Sequence, residues 1–198
     1  RKVYCEIQVK AVDIAEGNLM FELEDFAWGG NRMPVTIRHL YNSTLYNQQY
    51  TQNENIQLLA ADFSAMKLGH GWRLNIMQSM VPHTFRYDGN EYTGYIYIGE
   101  NGEETFFKPK EAIENPDGTY KNLNTFEDVT DEDTIYDANT RTLTMGGEKH
   151  LFDECGRLIK ITDEYQNSMV ITYEQGKIVS VCDGAGRVFS FRYNSDDF

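Results

Sequence analysis

The stretch from Phe152 to Tyr193 reads FDECGRLIKITDEYQNSMVITYEQGKIVSVCDGAGRVFSFRY, and its internal repetition decides the fold class. Gly156-Arg157-Leu158 returns twenty residues later as Gly176-Lys177-Ile178. Thr162-Asp163 returns as Cys182-Asp183, and Tyr173 as Tyr193, at the same spacing. A fixed period of this size marks an array of stacked supersecondary units. Each unit holds a glycine turn, an alternating run, an Asp-led turn, and a second alternating run that ends in an aromatic. Gly156 and Gly176, with Gly186 in the last turn, suit tight turns that need positive φ. Asp163 and Asp183 open the intervening turns, where a short carboxylate accepts hydrogen bonds from the backbone two residues on. Leu158, Lys160 and Thr162 are expected on one side, Ile159 and Ile161 on the other; the second copy sets Ile178 and Ser180 against Val179 and Val181. This is the period of strands and not of helices. Phe152, Tyr173 and Tyr193 recur once per unit and are expected to stack on one face of the sheet.

Phe152-Asp153-Glu154-Cys155-Gly156-Arg157-Leu158 resembles the Tyr-Asp-x-x-Gly-Arg-Leu signature of the Rhs, or YD-repeat, proteins. Phe stands for Tyr in this first copy. Tyr173-Glu174-Gln175-Gly176 has Glu for Asp and is one residue shorter. Upstream, Leu40-Tyr41-Asn42-Ser43 and Leu68-Gly69-His70-Gly71-Trp72 resemble the block that precedes the repeats in such proteins. The resemblance runs from about Arg38 onward. It implies a β meander that winds into a hollow shell, in a large secreted or cell-surface protein, bacterial in most such architectures. That shell encloses or displays a variable C-terminal domain, often a toxin. Neither such a domain nor the aspartate-based self-cleavage site is visible in these residues. The partner implied is the remainder of the same polypeptide.

The whole chain fits an all-β protein. It has 198 residues, enough for one good core or at most two small ones, with 40% hydrophobic and 13% aromatic residues. Thirteen Tyr against four Pro favour strands over disorder. A net charge of −13 leaves no basic stripe to release phosphate counterions, which excludes nucleic acid as the expected partner and disfavours an anionic membrane surface. No apolar run approaches eighteen residues, so no membrane insertion is expected. The sequence starts at Arg1 without Met, and the expectation is a piece of a longer protein whose targeting signals lie elsewhere. Cys5, Cys155 and Cys182 make an odd count without a CxxC pair. Free thiols are expected, and a Cys155–Cys182 disulfide is left open.

In chain order, alternation from Lys2 to Ala11 and from Leu19 to Glu24 reads as two strands, with a turn at Gly17-Asn18. Gly29-Gly30-Asn31 breaks the pattern, and Val35 to Tyr41 gives a third strand. Residues 42–67, rich in Asn and Gln, read as a long loop with one helical turn near Phe63 and Met66. Trp72, Leu74 and Ile76 restart the strands. Asn101-Gly102 between Tyr95–Ile98 and Thr105–Phe107 suggests a hairpin with a type I′ turn. Lys108 to Asp117 reads as a charged loop. A further hairpin turns at Ala138-Asn139, and Gly146-Gly147 leads into the repeats. The expected fold is an antiparallel meander of many short strands forming a curved open sheet, with or without a small packed sheet at the N-terminal end. Residues 1–110 form the pre-repeat region and 111–198 the meander into the repeats at 152–193, as one continuous unit.

Little in the sequence specifies chemistry. His39, His70, His83 and His150 lack metal-ligand spacing, so neither a metal nor a cofactor is expected. His150 and Cys155 form a base–nucleophile pair only on paper, because the turn already explains Cys155. Glu127-Asp128 and Asp131-Glu132-Asp133 do not match an EF-hand loop and read as solvated turns. Trp72 begins an alternating strand and reads as packing, whereas Trp28 beside Gly29-Gly30 is an open candidate for a sugar-stacking platform. The expected function is non-catalytic and structural. The alternatives are a carbohydrate-binding or adhesion module of a surface protein, and a glycosidase fragment with two carboxyls at hydrolytic spacing. An edge strand at Val188–Tyr193 is expected to promote self-association.

Overall fold

Glycine turns and short alternating runs put about half of the described residues into antiparallel strands. The computed structural model describes residues 8–13, 18–43, 61–69 and 71–193. The start of the first expected strand, Gly17, most of the 42–67 loop, His70 and Cys5 lie outside them. Four strands, β1 (Gln8–Asp13), β2 (Asn18–Ala27), β3 (Thr36–Asn42) and β4 (Trp72–Leu74), form one sheet in chain order. A single 3-10 turn, Ser64–Met66, is described between β3 and β4.

The second sheet has eleven strands. These begin with β5 (Ser79–Tyr87), β6 (Asn90–Ile98) and β7 (Glu104–Pro109). An excursion follows: the two-stranded hairpin of β8 (Ile113–Glu114) and β9 (Tyr120–Lys121). The meander resumes with β10 (Thr125–Asp128), β11 (Ile135–Asp137), β12 (Thr142–Met145), β13 (Glu148–Phe152) and β14 (Leu158–Thr162). It ends with β15 (Ser168–Glu174), β16 (Lys177–Cys182) and β17 (Val188–Ser190). Within each of these two sheets, apart from the β8–β9 excursion, each strand pairs with the next in sequence. The change of sheet comes at residues 75–78, while the boundary drawn at 110/111 falls at the excursion.

The sheet is open but curls back on itself. The start of β5 bonds to the turn before β14, with six strands lying between β5 and β14 in sheet order. Met80 N donates to Gly156 O at 2.8 Å, and Leu158 N donates to Gln78 O at 3.0 Å. The four-stranded sheet covers the inner face, so the main core draws on both layers. Val35, Ile37 and Leu74 join Tyr97, Phe107, Tyr136, Leu143, Phe152, Leu158, Ile178 and Val181, all buried. A smaller cluster of Ala61, Val81, Ile96 and Ile98 lies on the other face of β6.

The structure corrects several local expectations. Strict alternation fails in β14, because the register slips between Leu151↔Lys160 and Phe152↔Leu158. The extra residue, Ile159, is a bulge that returns Leu158 and Ile161 to the same buried face. The same slip recurs between Thr172↔Ser180 and Tyr173↔Ile178, so Ile178 and Val181 share the core side. The bulge itself therefore obeys the twenty-residue period. Asn101-Gly102 is not a type I′ turn: only Gly102 has positive φ, and a longer loop closes through Gly99 N to Glu103 O. Two-residue loops of that kind, with both residues at positive φ, occur at Asp88-Gly89, Gly146-Gly147 and Gln175-Gly176. Phe152, Tyr173 and Tyr193 do not stack together. The ring neighbours of Phe152 are Tyr97 and Tyr136 at 6.2 and 6.4 Å.

Candidate functional site

The repeat residues become a site through their turns. Asp153, Asp163 and Asp183 each begin a five-residue turn with one bonding pattern. One carboxylate oxygen accepts the main-chain N–H groups two and four residues on. For Asp183 these come from Ala185 at 2.9 Å and Arg187 at 2.8 Å. The other oxygen takes the side chain four residues on: Arg157 Nε at 2.8 Å, Asn167 Nδ2 at 2.8 Å, and Arg187 Nε at 2.5 Å. Gly156 and Gly186 occupy the fourth turn position with φ of 79° and 81°; Gln166 holds the same position at 66°.

The second recurring element is the unit's closing tyrosine. Tyr173 OH donates to Leu158 O at 3.0 Å, and Tyr193 OH donates to Ile178 O at 2.6 Å. Arg157 lies over the Tyr173 ring, and Lys177 over the Tyr193 ring. Desolvation holds both tyrosine hydroxyls above their usual range. The second copy also receives the upstream segment: Met66 Sδ accepts from Ile178 N at 3.2 Å and lies 3.1 Å from the Tyr193 hydroxyl oxygen.

Asp183 carries a role the other two turns lack. Its side chain is buried, and its partner Arg187 also donates to Gly29 O at 3.1 Å and lies 4.4 Å from the Trp28 ring centroid. The last turn thus fastens the residue 28–35 segment to the repeat sheet. Burial disfavours the charged Asp183, but the N–H groups of Arg187 and Ala185 and the guanidinium outweigh it, holding the carboxyl below its ordinary range. A depressed folded value means that this contribution is present above the unfolded carboxylate value of about 4 and is lost as pH falls through the folded one. Replacing Arg187 by Ala is expected to loosen the Gly29 anchor and accelerate tryptic cleavage after Arg32. Cleavage at the parental rate would show that the anchor does not hold this segment.

Trp28 is 45% exposed and packs edge-on to Phe26 and Phe189, at 6.0 and 5.3 Å. The core-facing side of β17 therefore has cover from β2, whose Phe26 ring lies 4.8 Å from that of Phe189. Trp72 is half-buried against Tyr41 at 5.4 Å, as packing predicts.

Between the two sheets lies a cleft of about 490 Å³, lined by Arg38, Asn75, Gln78, Glu22, Glu100 and Glu148 among others. Arg38 pairs with Glu22 at 2.9 Å and with Glu100. Burial alone would lower its pKa, but the two carboxylates outweigh that and raise it. Deeper in, His150 lies between Gln78 and Glu148, and burial holds it below the usual histidine range. Cys155 is an exposed free thiol in its turn, and Cys182 is free and half-buried. Asp128 and Asp131 bond their own loop's Thr130, Asp133 and Thr134. Among the described residues, no group of three or more His, Cys, Asp or Glu could hold a metal ion. None of their helices is long and apolar enough to cross a membrane.

Sequence reading missed Arg187, although Asp183-x-x-Gly186-Arg187 repeats Asp153-x-x-Gly156-Arg157 at a spacing of thirty. Gln78, Asn75 and Arg38 carried no signal, since nothing in a single polar residue announces a partner in another sheet. A family described only as a domain of unknown function, DUF6531, matches residues 10–107. The matched segment takes in the four-stranded sheet and runs into β7, stopping short of the repeats. No curated protein matches the chain.

Proposed function

We propose that this chain is a non-catalytic structural module of a large secreted or cell-surface Rhs/YD-repeat protein. Its repeats would form part of the wall of a β shell that encloses or displays a variable C-terminal domain, often a toxin. One observation carries the reading: the twenty-residue period holds in the bonds as well as the letters. Turn aspartate, bulge, and closing tyrosine to the Leu158 or Ile178 carbonyl all recur at that spacing. A unit that binds mainly its neighbours suits an extendable wall. The partner is then the rest of the same polypeptide.

The discriminating experiment is an activity panel with chelator. No turnover of glycosides, peptides, esters or nucleic acids is expected, and chelation should leave the melting temperature unchanged. Reproducible turnover abolished by changing one carboxylate, Cys155 or His150 would replace this reading with an enzyme. A carbohydrate-binding reading is favoured by the exposed pair Phe26 and Trp28, 39% and 45% exposed. Glycan-array binding lost on Trp28→Ala would support it.

The open edge of β17 supports a further expectation. β17 repeats the in–out pattern of β15, yet Phe189 and Phe191 are only half-buried where their counterparts Met169 and Ile171, on a strand with neighbours on both sides, are buried. Unfinished edges pair with other chains. Light scattering at high concentration is expected to show dimers that Ser190→Pro removes; a strict monomer would contradict this.

A further inference from the structure

The upstream chain meets the repeat sheet at two equivalent seats and fills them differently. In the first unit, Gly156 stands at a φ of 79°, and Leu158 follows at the bulge. Gln78–Met80 lies across them as an extended strand, with Ser79 bridged antiparallel to Arg157. Met80 N donates to Gly156 O at 2.8 Å, and Leu158 N donates to Gln78 O at 3.0 Å. The Met80 carbonyl passes so close to Gly156 that a Cβ there would collide with it. The Met80 side chain, 2% exposed, enters the main core.

In the second unit, Gly176 at a φ of 78° and Ile178 repeat those positions, with the same bulge. The Ser64–Met66 3-10 turn sits there. A Cβ on Gly176 would lie 3.1 Å from Ala65 Cβ, and Met66, 4% exposed, enters the same core as Met80. The main-chain bonds of the first seat are missing. Ile178 N donates to Met66 Sδ at 3.2 Å, and a thioether is a weak acceptor. Among the described residues, no main-chain N–H donates to Gly176 O. The turn has no side-chain cap at Phe63 and ends on Lys67 at a φ of 51°, a strained conformation for a residue with a side chain.

Both occupants are a small residue followed by methionine, Ala65-Met66 and Ser79-Met80. An extended strand of that kind brings to the second seat what the turn lacks, a carbonyl for Ile178 N and an N–H for Gly176 O. Its methionine replaces the Met66 side chain, so the core stays filled. We propose that Gly176–Ile178 is a strand-addition site for an extended polypeptide segment carrying a small residue followed by methionine, and that the Ser64–Met66 turn is its displaceable resident. The first seat, filled by such a strand in this same chain, shows the partner's chemistry and direction. The site stands on these bonds and is independent of the shell reading.

The test follows the amides of the full chain by NMR while a peptide of residues Asn75–Pro82 is added, up to about 1 mM. Saturable shifts at Lys177 and Ile178 are expected, with slower exchange of the Ile178 amide. A peptide N-methylated at the residue matching Met80 lacks the N–H for Gly176 O and should bind about tenfold more weakly. Met66→Leu keeps the core volume but removes the sulfur acceptor, so it should bind the unmodified peptide about 2–10-fold more tightly than the parent. Should Met66→Leu fail to fold, the two peptides on the parent chain decide. Absence of saturable shifts at Lys177 and Ile178, shifts confined to Gly156–Leu158, equal binding of the N-methylated peptide, or unchanged affinity in a folded Met66→Leu would each overturn the proposal.

Discussion

Phe152→Ala is expected to destabilise the protein by about 3–5 kcal/mol, the range for deleting a buried aromatic whose cavity cannot collapse. Phe152 is 0% exposed and meets Tyr97 from β6 and Tyr136 from β11 edge-on. Its own strand, β13, pairs with neither, so the ring sits where distant strands of the curled sheet converge. Backbone bonds there cannot slide to fill the gap, because β5 is pinned to the turn after Phe152 by Met80 N to Gly156 O. Val170→Ala, on the outward face of β15, should cost less than about 1 kcal/mol. Urea unfolding of the two variants measures the difference. Equal effects would mean that the inner face is not the packed side.

Gly156→Val should cost about 3 kcal/mol or more, and the reason is twofold. Its φ of 79° is strained for any β-branched residue, at about 1–2 kcal/mol. A Cβ would also press into the Met80 carbonyl oxygen and lie 3.0 Å from Val81 Cγ1, and crowding of this kind adds about 1–3 kcal/mol. Gly186 provides the comparison, with the same turn position and a φ of 81° but open space around its Cβ direction. Gly186→Val should show the backbone strain alone. Gly176→Val falls between them, since the nearest atom is the Ala65 side chain at 3.1 Å. For a chain of this size, each kcal/mol moves the melting temperature by about 2–4 °C. The three glycine variants should therefore separate in a thermal scan, and coincident melting curves would remove the turn assignment.

The repeat was legible because its signals are local. A glycine at positive φ and an aspartate that caps its own turn need no distant partner, so the strands from β13 to β17 follow from letters alone. Two things escaped. The bulges at Ile159 and Val179 put Leu158 with Ile161, and Ile178 with Val181, on one face instead of opposite ones, and a bulge leaves no mark in the alternation of apolar residues. The β6–β7 hairpin stands where Asn101-Gly102 placed it, but the two-residue turn expected there belongs to Asp88-Gly89, which was equally readable as an Asp-Gly turn between strand-forming runs. At the site, Trp28 was singled out for its position beside two glycines, but its partner Arg187 lies 159 residues on. Likewise Gln78 bonds Tyr97 of β6, His150 of β13 and Leu158 of β14, which only the curl of the sheet brings together.

The central claim is that the chain is built from an extendable unit, and adding a unit tests it most directly. A second copy of residues 174–193 placed after Tyr193 should pair with β17, bury Phe189 and Phe191 further, and raise the melting temperature in one cooperative transition, as nearest-neighbour coupling requires. The new copy's amides should be as protected from exchange as those of β16. A melting temperature unchanged from the parent, with the added residues exchanging at the rate of an unfolded chain, would contradict the account.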